Sequence, residues 1–161
     1  MVTSNPLKRK PALIQFSKDH HFALLLIWKI RQGLRLGAEL QRIGKYINFF
    51  FDNYLEAHFK EEEELLFIHL DEDDDLRLSA ETDHKELAGL NENIKYNLVQ
   101  QDIRQFTSLL EQHIRFEERF LFAHLQDNLR EEQLNSIAEK MHASHPYVTE
   151  DDWKDVFWIK Q

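Results

Sequence analysis

Apolar residues recur every three or four positions along most of the chain. This spacing places apolar side chains along one face of an α-helix, and only four Gly and three Pro occur among the 161 residues to interrupt it. The pattern predicts four long helices over about 17–35, 39–69, 79–100 and 102–126, followed by a shorter helix over about 130–142. Ser17 is the predicted N-cap of the first helix, and the acidic run at 71–75 separates the second helix from the third.

Each long predicted helix has an apolar stripe, and short links join successive helices. These features are typical of an up-down-up-down four-helix bundle, so the predicted fold is all-α. In the fourth helix the predicted inward stripe holds Phe106, Leu109, Leu110, His113, Glu117, Phe120, Leu121 and His124. We expect one domain over residues 1–146 and an acidic, aromatic tail over 147–161, whose Trp153, Phe157 and Trp158 pack back on the bundle or on a partner.

The composition argues against several kinds of site and partner. The chain contains no Cys, which excludes disulfides, thiolate metal sites and iron–sulfur clusters and leaves His and carboxylate as the strong metal ligands. The formal net charge of −9 disfavours nucleic acid, because a duplex binder needs a basic face. The longest apolar run, 22–28, is far shorter than the ~20 residues of a membrane span. We therefore expect a cytoplasmic protein that binds neither nucleic acid nor a membrane.

A block of thirteen residues occurs twice, at 58–70 and again at 113–125. In each copy a His precedes a Glu by four positions, which on an α-helix puts the imidazole and the carboxylate on one face. The pairs are His58 with Glu62 and His113 with Glu117. About one such pair would occur by chance in a chain of this composition. Residues upstream of the pairs also correspond at the constant offset of 55, which identifies an internal repeat.

Histidines on four predicted helices fall at similar depths in the bundle. At about 1.5 Å of rise per residue, His20 lies at roughly the level of His58, and His84 at roughly the level of His113, to within about two turns in antiparallel pairs of helices. A lone His–Glu pair can be a purely structural, hydrogen-bonded core pair. Two buried carboxylates, however, need a charge compensation that neutral imidazoles supply poorly and metal ions supply well. Nitrogen and oxygen donors together suit a transition metal. The candidate ligand set is His20, His58, Glu62, His84, His113 and Glu117.

The first helix offers two candidate ligands, His20 and His21. His20 falls on the predicted apolar stripe, which holds Phe16, Ala23, Leu24, Ile27 and Leu34. The pair Asp19-His20 also mirrors Asp83-His84. His21 instead shares its side of the helix with Trp28, Arg31 and Arg35. We favour His20 as the ligand and keep His21 as the alternative.

These motifs resemble those of the hemerythrin-like family, also called the His-His-Glu cation-binding domain. The family has a His on the first helix, His-x-x-x-Glu on the second, a His on the third and His-x-x-x-Glu or His-x-x-x-x-Asp on the fourth. All of these occur here within about 17–142, although Ile68 and Ala123 stand where the family often has Pro. The resemblance implies a non-haem di-iron centre in which Glu62 and Glu117 bridge the irons and the histidines are terminal ligands. Zinc or manganese could occupy the same site.

Position 88 departs from the oxygen-carrying hemerythrins, which have a second His there on the third helix where this chain has Ala88. The resemblance then implies four histidines rather than five and more open coordination, which favours reaction over reversible oxygen carriage. We expect binding of, or reaction with, dioxygen or a related molecule such as peroxide or nitric oxide. A peroxide-consuming or iron–nitrosyl-repairing enzyme and a non-catalytic iron-sensing or iron-storage module remain alternatives. The sequence assigns no catalytic residue and no oligomeric state.

Two other features of the sequence are read as structural. His69 and His124 share a face with the ligands of the repeat but lie about 16 Å further along their helices, too far to share a metal, and we interpret them as helix-end polar residues. The acidic run at 71–75 resembles the opening of a calcium loop. That loop needs Gly and Glu where this chain has Leu76 and Thr82. We therefore expect a solvated acidic turn.

Overall fold

The computed structural model describes residues 8–144 and 153–160, and within these residues the chain forms five helices and no strand. Helix α1 spans Pro11–Arg35, α2 spans 40–69, α3 spans Asp75–Tyr96, α4 spans 100–128 and α5 spans Glu131–Ser144. Each of α1–α4 contacts two neighbours in a closed cycle, and α5 packs on α1 and α2. The predicted all-α bundle with a short additional helix is confirmed. None of the helices in the described ranges is long and apolar enough to cross a membrane.

Several helix ends differ from the prediction. Helix α1 begins at Pro11 rather than after Ser17, because a first-turn proline lacks only an N–H that would have no partner within the helix. Helix α3 begins at Asp75 rather than near 79, since the Asp74 carboxylate accepts hydrogen bonds from the backbone N–H groups of Leu76 and Arg77. It ends at Tyr96, so α4 begins slightly earlier than predicted, at Gln100. The acidic run therefore supplies the N-cap of α3, Asp74.

Helices α2 and α4 contain π-helical turns that the sequence pattern did not predict. In α2, α-helix over Leu40–Phe50 and Glu56–Glu61 alternates with π turns over Phe51–Leu55 and Glu62–Leu66, and the helix ends in a 3₁₀ turn over Phe67–His69. In α4, α-helix over Gln100–Phe116 and Phe122–Asn128 flanks a π turn over Glu117–Leu121. Two of these turns begin at the repeated glutamates. Single π turns inside α-helices are rare and frequently occur at functional sites.

The interior of the bundle consists of two apolar clusters with a layer of polar residues between them. The upper cluster includes Ile27, Phe50, Leu87 and Phe106, and the lower cluster includes Phe16, Phe67 and Phe122. The buried His residues of α1 and α3 and the buried Glu residues of α2 and α4 fall between the segments that supply these two clusters. The buried His residues of α2 and α4 lie at the edge of the upper cluster. The polar layer is therefore enclosed by apolar packing on both sides.

The described part of the tail, residues 153–160, packs on the bundle. The Tyr46 ring contacts the rings of Trp153, Phe157 and Trp158, and Arg42 pairs with the carboxylate of Asp155. Phe157 is 2% exposed and belongs to the upper cluster. Of the two predicted locations for the tail, packing on the bundle is the one the structure shows. The predicted domain boundary at 146/147 lies outside the described residues.

Candidate metal centre

The polar layer brings together all six residues of the favoured ligand set. Helix α1 supplies one histidine, α2 a histidine and a glutamate, α3 one histidine, and α4 a histidine and a glutamate. Each residue is between 0% and 5% exposed. The six are His20, His58, Glu62, His84, His113 and Glu117. The four histidines therefore lie in one layer of the bundle, at the similar depths that the helix rise indicated.

These residues form two groups that have both carboxylates in common. One group is His20, His58, Glu62 and Glu117, and the other is Glu62, His84, His113 and Glu117. Within each group the potential ligand atoms all lie within 4.8 Å of one another. Two adjacent cation positions would therefore share Glu62 and Glu117, while each would have a separate pair of histidines.

The distances between imidazole and carboxylate show how the groups are joined. Within a helix, Nε2 of His58 lies 3.1 Å from Oε1 of Glu62, and Nε2 of His113 lies 2.5 Å from Oε1 of Glu117. Between helices, Nε2 of His84 lies 3.4 Å from Oε1 of Glu62, and Nε2 of His20 lies 3.5 Å from Oε1 of Glu117. Each carboxylate thus faces histidines from both groups.

Six inward-facing atoms of the centre make no hydrogen bond of normal geometry within the described residues. They are Nε2 of His20 and His58 and both carboxylate oxygens of Glu62 and Glu117. Leaving a buried polar atom without a partner costs free energy comparable to losing a hydrogen bond, and native proteins rarely do so. Cations would bind these atoms, since imidazole nitrogen and carboxylate oxygen are ordinary ligands of transition metals. The residues present therefore fit a metal site.

The pKa values of the metal-free layer also indicate that its buried carboxylates need a balancing positive charge. Burial and the charge of Glu117 raise the pKa of Glu62 above its usual range. Burial also opposes ionisation of Glu117, but the charge of His113, together with the polar contacts that Glu62, His113 and His20 make with Glu117, lowers the pKa of Glu117 well below its usual range. Burial lowers the pKa of His113, yet the Glu117 charge and a hydrogen bond to Asp83 outweigh it and raise that pKa to about 10. Without metal, protons partly balance the buried carboxylates.

Each of the four histidines also contacts a carboxylate on its outer side, through Nδ1. The four pairs are Asp19 with His58 at 3.0 Å, Glu63 with His84 at 3.1 Å, Asp83 with His113 at 3.1 Å and Glu118 with His20 at 2.9 Å. The imidazole Nδ1–H donates in such a contact, which leaves Nε2 free to face inward. These carboxylates were not predicted from the sequence, although each one directly adjoins a candidate ligand in sequence.

Aromatic rings enclose the imidazoles. The Phe122 ring stacks on His20 at 5.3 Å, and the Phe67 ring stacks on His84 at 5.7 Å. The Phe59 ring also stacks on His84, with the ring centroids 4.0 Å apart. Phe67 and Phe122 occupy equivalent positions of the repeat, 55 residues apart. The apolar pattern did not predict the contacts of Phe67 and Phe122, because both phenylalanines follow π turns that leave no mark in that pattern.

Several predicted positions lie away from the centre. His21, the alternative ligand, is exposed on α1 and belongs to neither group, and Leu24 of the predicted α1 stripe is 38% exposed. His69 and His124 also lie outside both groups, and Nδ1 of His124 lies 3.2 Å from Nδ2 of Asn128. Ala88 is half-buried and packs against the upper cluster. Of the two α1 candidates, the structure brings only His20 to the centre.

Comparison with known protein families accords with this geometry. The family model described as the hemerythrin HHE cation binding domain matches residues 13–125, a range that contains all six residues of the centre. Comparisons with curated proteins and with solved structures found no match. The resemblance inferred from the sequence motifs is confirmed: the chain belongs to the hemerythrin HHE cation-binding domain family.

Proposed function

We propose that the protein holds a non-haem di-iron centre and binds or reacts with dioxygen or a related small oxidant. The observation that carries this proposal is the sharing of Glu62 and Glu117 by two four-residue groups. Glu62 and Glu117 would be ligands of both ions. His20 and His58 would complete the protein ligands of one ion, and His84 and His113 would complete those of the other.

The number of donors supports two ions rather than one. A four-coordinate site uses four ligands, whereas this layer directs six side chains from four helices at one region of the core. The two carboxylates lie between the two pairs of histidines. Bridging carboxylates neutralise part of the charge of two neighbouring cations, which lowers the repulsion between them.

The chemistry of the donors favours iron. Imidazole and carboxylate without thiolate suit iron, and a ferrous ion in a His and carboxylate site with open positions can bind or reduce oxygen. Zinc and manganese accept the same donors and are the substitutes expected in a preparation. Ala88 adds no further imidazole to α3. The ligand set therefore leaves more of the coordination open than a set with a fifth histidine would.

The rest of the chain shields the centre from solvent and packs against its side chains. Glu62 and Glu117 are both 0% exposed, and the lower cluster places Phe67 and Phe122 against the imidazoles. Excluding water strengthens every electrostatic interaction within the layer. A centre buried in this way would admit a small uncharged molecule more readily than a large or charged substrate.

Rapid mixing of the reduced, iron-loaded protein with oxygen tests the proposal, with the zinc-loaded protein as a redox-inert control. We expect the absorbance of the iron protein to change on mixing and not to return on deoxygenation, because the open centre is oxidised. Release of intact oxygen over repeated cycles would show a reversible carrier. Many turnovers of added peroxide per centre would show an enzyme instead. An iron-loaded protein that behaves like the zinc control would contradict the proposed function.

A further inference from the structure

Four carboxylates surround the candidate metal centre and link its helices in order. The carboxylate on α1 contacts the histidine of α2, that on α2 contacts α3, that on α3 contacts α4, and that on α4 contacts α1. The contacts run in one direction around the bundle and close on themselves. We call this set the outer carboxylate ring; its members are Asp19, Glu63, Asp83 and Glu118.

The geometry of an antiparallel bundle explains why the ring closes. One step along an α-helix turns a side chain by about 100°, so a residue next to an inward-facing ligand points sideways, toward a neighbouring helix. On α1 and α3 the ring residue precedes the ligand, as in Asp19-His20. On α2 and α4 it follows the ligand, as in Glu62-Glu63. Because α2 and α4 run in the opposite direction, a step forward on them and a step back on α1 and α3 rotate in the same sense.

We propose that the outer carboxylate ring is a set of positioning residues, each of which orients the metal-binding histidine of the next helix; this inference rests on the proposed function. A carboxylate that accepts the Nδ1–H of an imidazole fixes the tautomer and the direction of the ring plane. Nε2 then keeps its lone pair and faces the ion. The partner of Asp19 is His58 on α2 and not His20, its neighbour in sequence. Each helix therefore orients a ligand that another helix supplies.

The four contacts differ in their access to water and in further support. The side chains of Asp19 and Asp83 are 14% and 22% exposed, whereas that of Glu63 is 44% exposed. Glu118 accepts from His20 through Oε1, and Arg9 donates from Nε to its Oε2 at 3.0 Å. Water can replace an exposed acceptor more easily than a shielded one. Loss of Glu63 should therefore matter least, and loss of Asp19 should matter more.

Paired variants in the full chain test this inference, with zinc(II) as the diamagnetic probe. Asp19→Ala removes the acceptor, and Asp19→Asn keeps an oxygen that can accept but lacks the charge. Glu63→Ala is matched by Glu64→Ala, because Glu64 is the next residue of the same helix and is 61% exposed beside Lys60. Zinc affinity is measured by competition with a chelator. Nitrogen-15 NMR of labelled histidines reports on the Nδ1 of each imidazole.

We expect Asp19→Ala to lower zinc affinity by roughly 10- to 100-fold, with Asp19→Asn restoring part of the loss and Glu64→Ala unchanged. In the NMR spectrum the Nδ1 signal that changes should be that of His58, while His20 keeps its signal. A change at His20 in place of His58, or Asp19→Ala and Glu63→Ala proteins that bind zinc as tightly as Glu64→Ala, would overturn the inference. If the unmodified protein binds neither zinc nor ferrous iron, the proposed function fails and the inference fails with it. If the unmodified protein binds zinc and none of the ring variants weakens that binding, the inference fails while the proposed function stands.

Discussion

Neighbouring residues of α1 and α4 have different roles because each step along a helix turns the side chain by about 100°. His20 is buried among the candidate ligands, whereas His21 is exposed. Glu117 is fully buried in the centre, while Glu118 is only partly buried and contacts His20 from outside. At the residue scale, then, the helix face decides which of two similar side chains can reach the candidate metal centre.

Substituting each of the two histidines of α1 tests this assignment. We expect His20→Ala to lower iron retention, because it removes one of two histidines from a cation position, while His21→Ala leaves retention near that of the unmodified protein. Both proteins are loaded with ferrous iron without oxygen, passed through a desalting column and analysed for metal. Equal loss in the two variants, or a larger loss in His21→Ala, would contradict the role given to His20.

At the scale of the helices, the sequence predicted the type and order of the elements and the inward positions of the His–Glu pairs, because these depend on a spacing of four within regular helix. It did not predict the π turns, which leave no mark in the apolar pattern. Phe120 was placed on the inward stripe but is 59% exposed. In the π turn at Glu117 the backbone N–H of Phe122, five residues on, bonds to the Glu117 carbonyl, so Phe122 takes the inward place and Phe120 turns outward.

The contact between α1 and the tail gives a prediction at the same scale. A Cβ atom added at Gly33 would lie 2.5 Å from Cδ2 of Phe157, whereas one added at Gly89 on α3 would meet nothing within 4 Å. Both glycines are helical, so the gain in helix propensity from alanine is similar at the two sites. Gly33→Ala should therefore be less stable than Gly89→Ala by about 1–3 kcal/mol, the usual cost of overpacking. Urea unfolding measures the difference, and equal stabilities would show that the tail does not pack on α1 in solution.

At the scale of the whole molecule, a charged layer between two apolar clusters makes stability depend on what occupies that layer. In the metal-free protein the raised pKa values of Glu62 and His113 mean that the folded state holds protons which the unfolded chain releases at lower pH. His113 therefore contributes to the stability of the folded state, and this contribution is fully present below about pH 6.5, the ordinary His pKa. The stabilising contribution is lost as the pH rises toward about 10, the folded-state pKa of His113. Glu62 acts in the same direction.

Thermal unfolding of the metal-free protein checks this dependence. The melting temperature should fall as the pH rises from about 6 to about 9, because the folded state must give up protons over that range. A His113→Asn variant, which cannot hold the proton, should show a shallower fall. A melting temperature that is constant or rises over this range would contradict the electrostatics described for the polar layer.

The central claim, two metal ions bridged by Glu62 and Glu117, is tested most directly by counting metal. The metal-free protein is titrated with ferrous iron in the absence of oxygen, desalted and analysed, alongside Glu62→Ala, Glu117→Ala and the exposed control Glu64→Ala. Because the two four-residue groups share both carboxylates, we predict about two ions per chain in the unmodified protein and in the control, and loss of the pair in the two other variants with helical content retained. One ion per chain in the unmodified protein, or two ions in both Glu62→Ala and Glu117→Ala, would contradict the account.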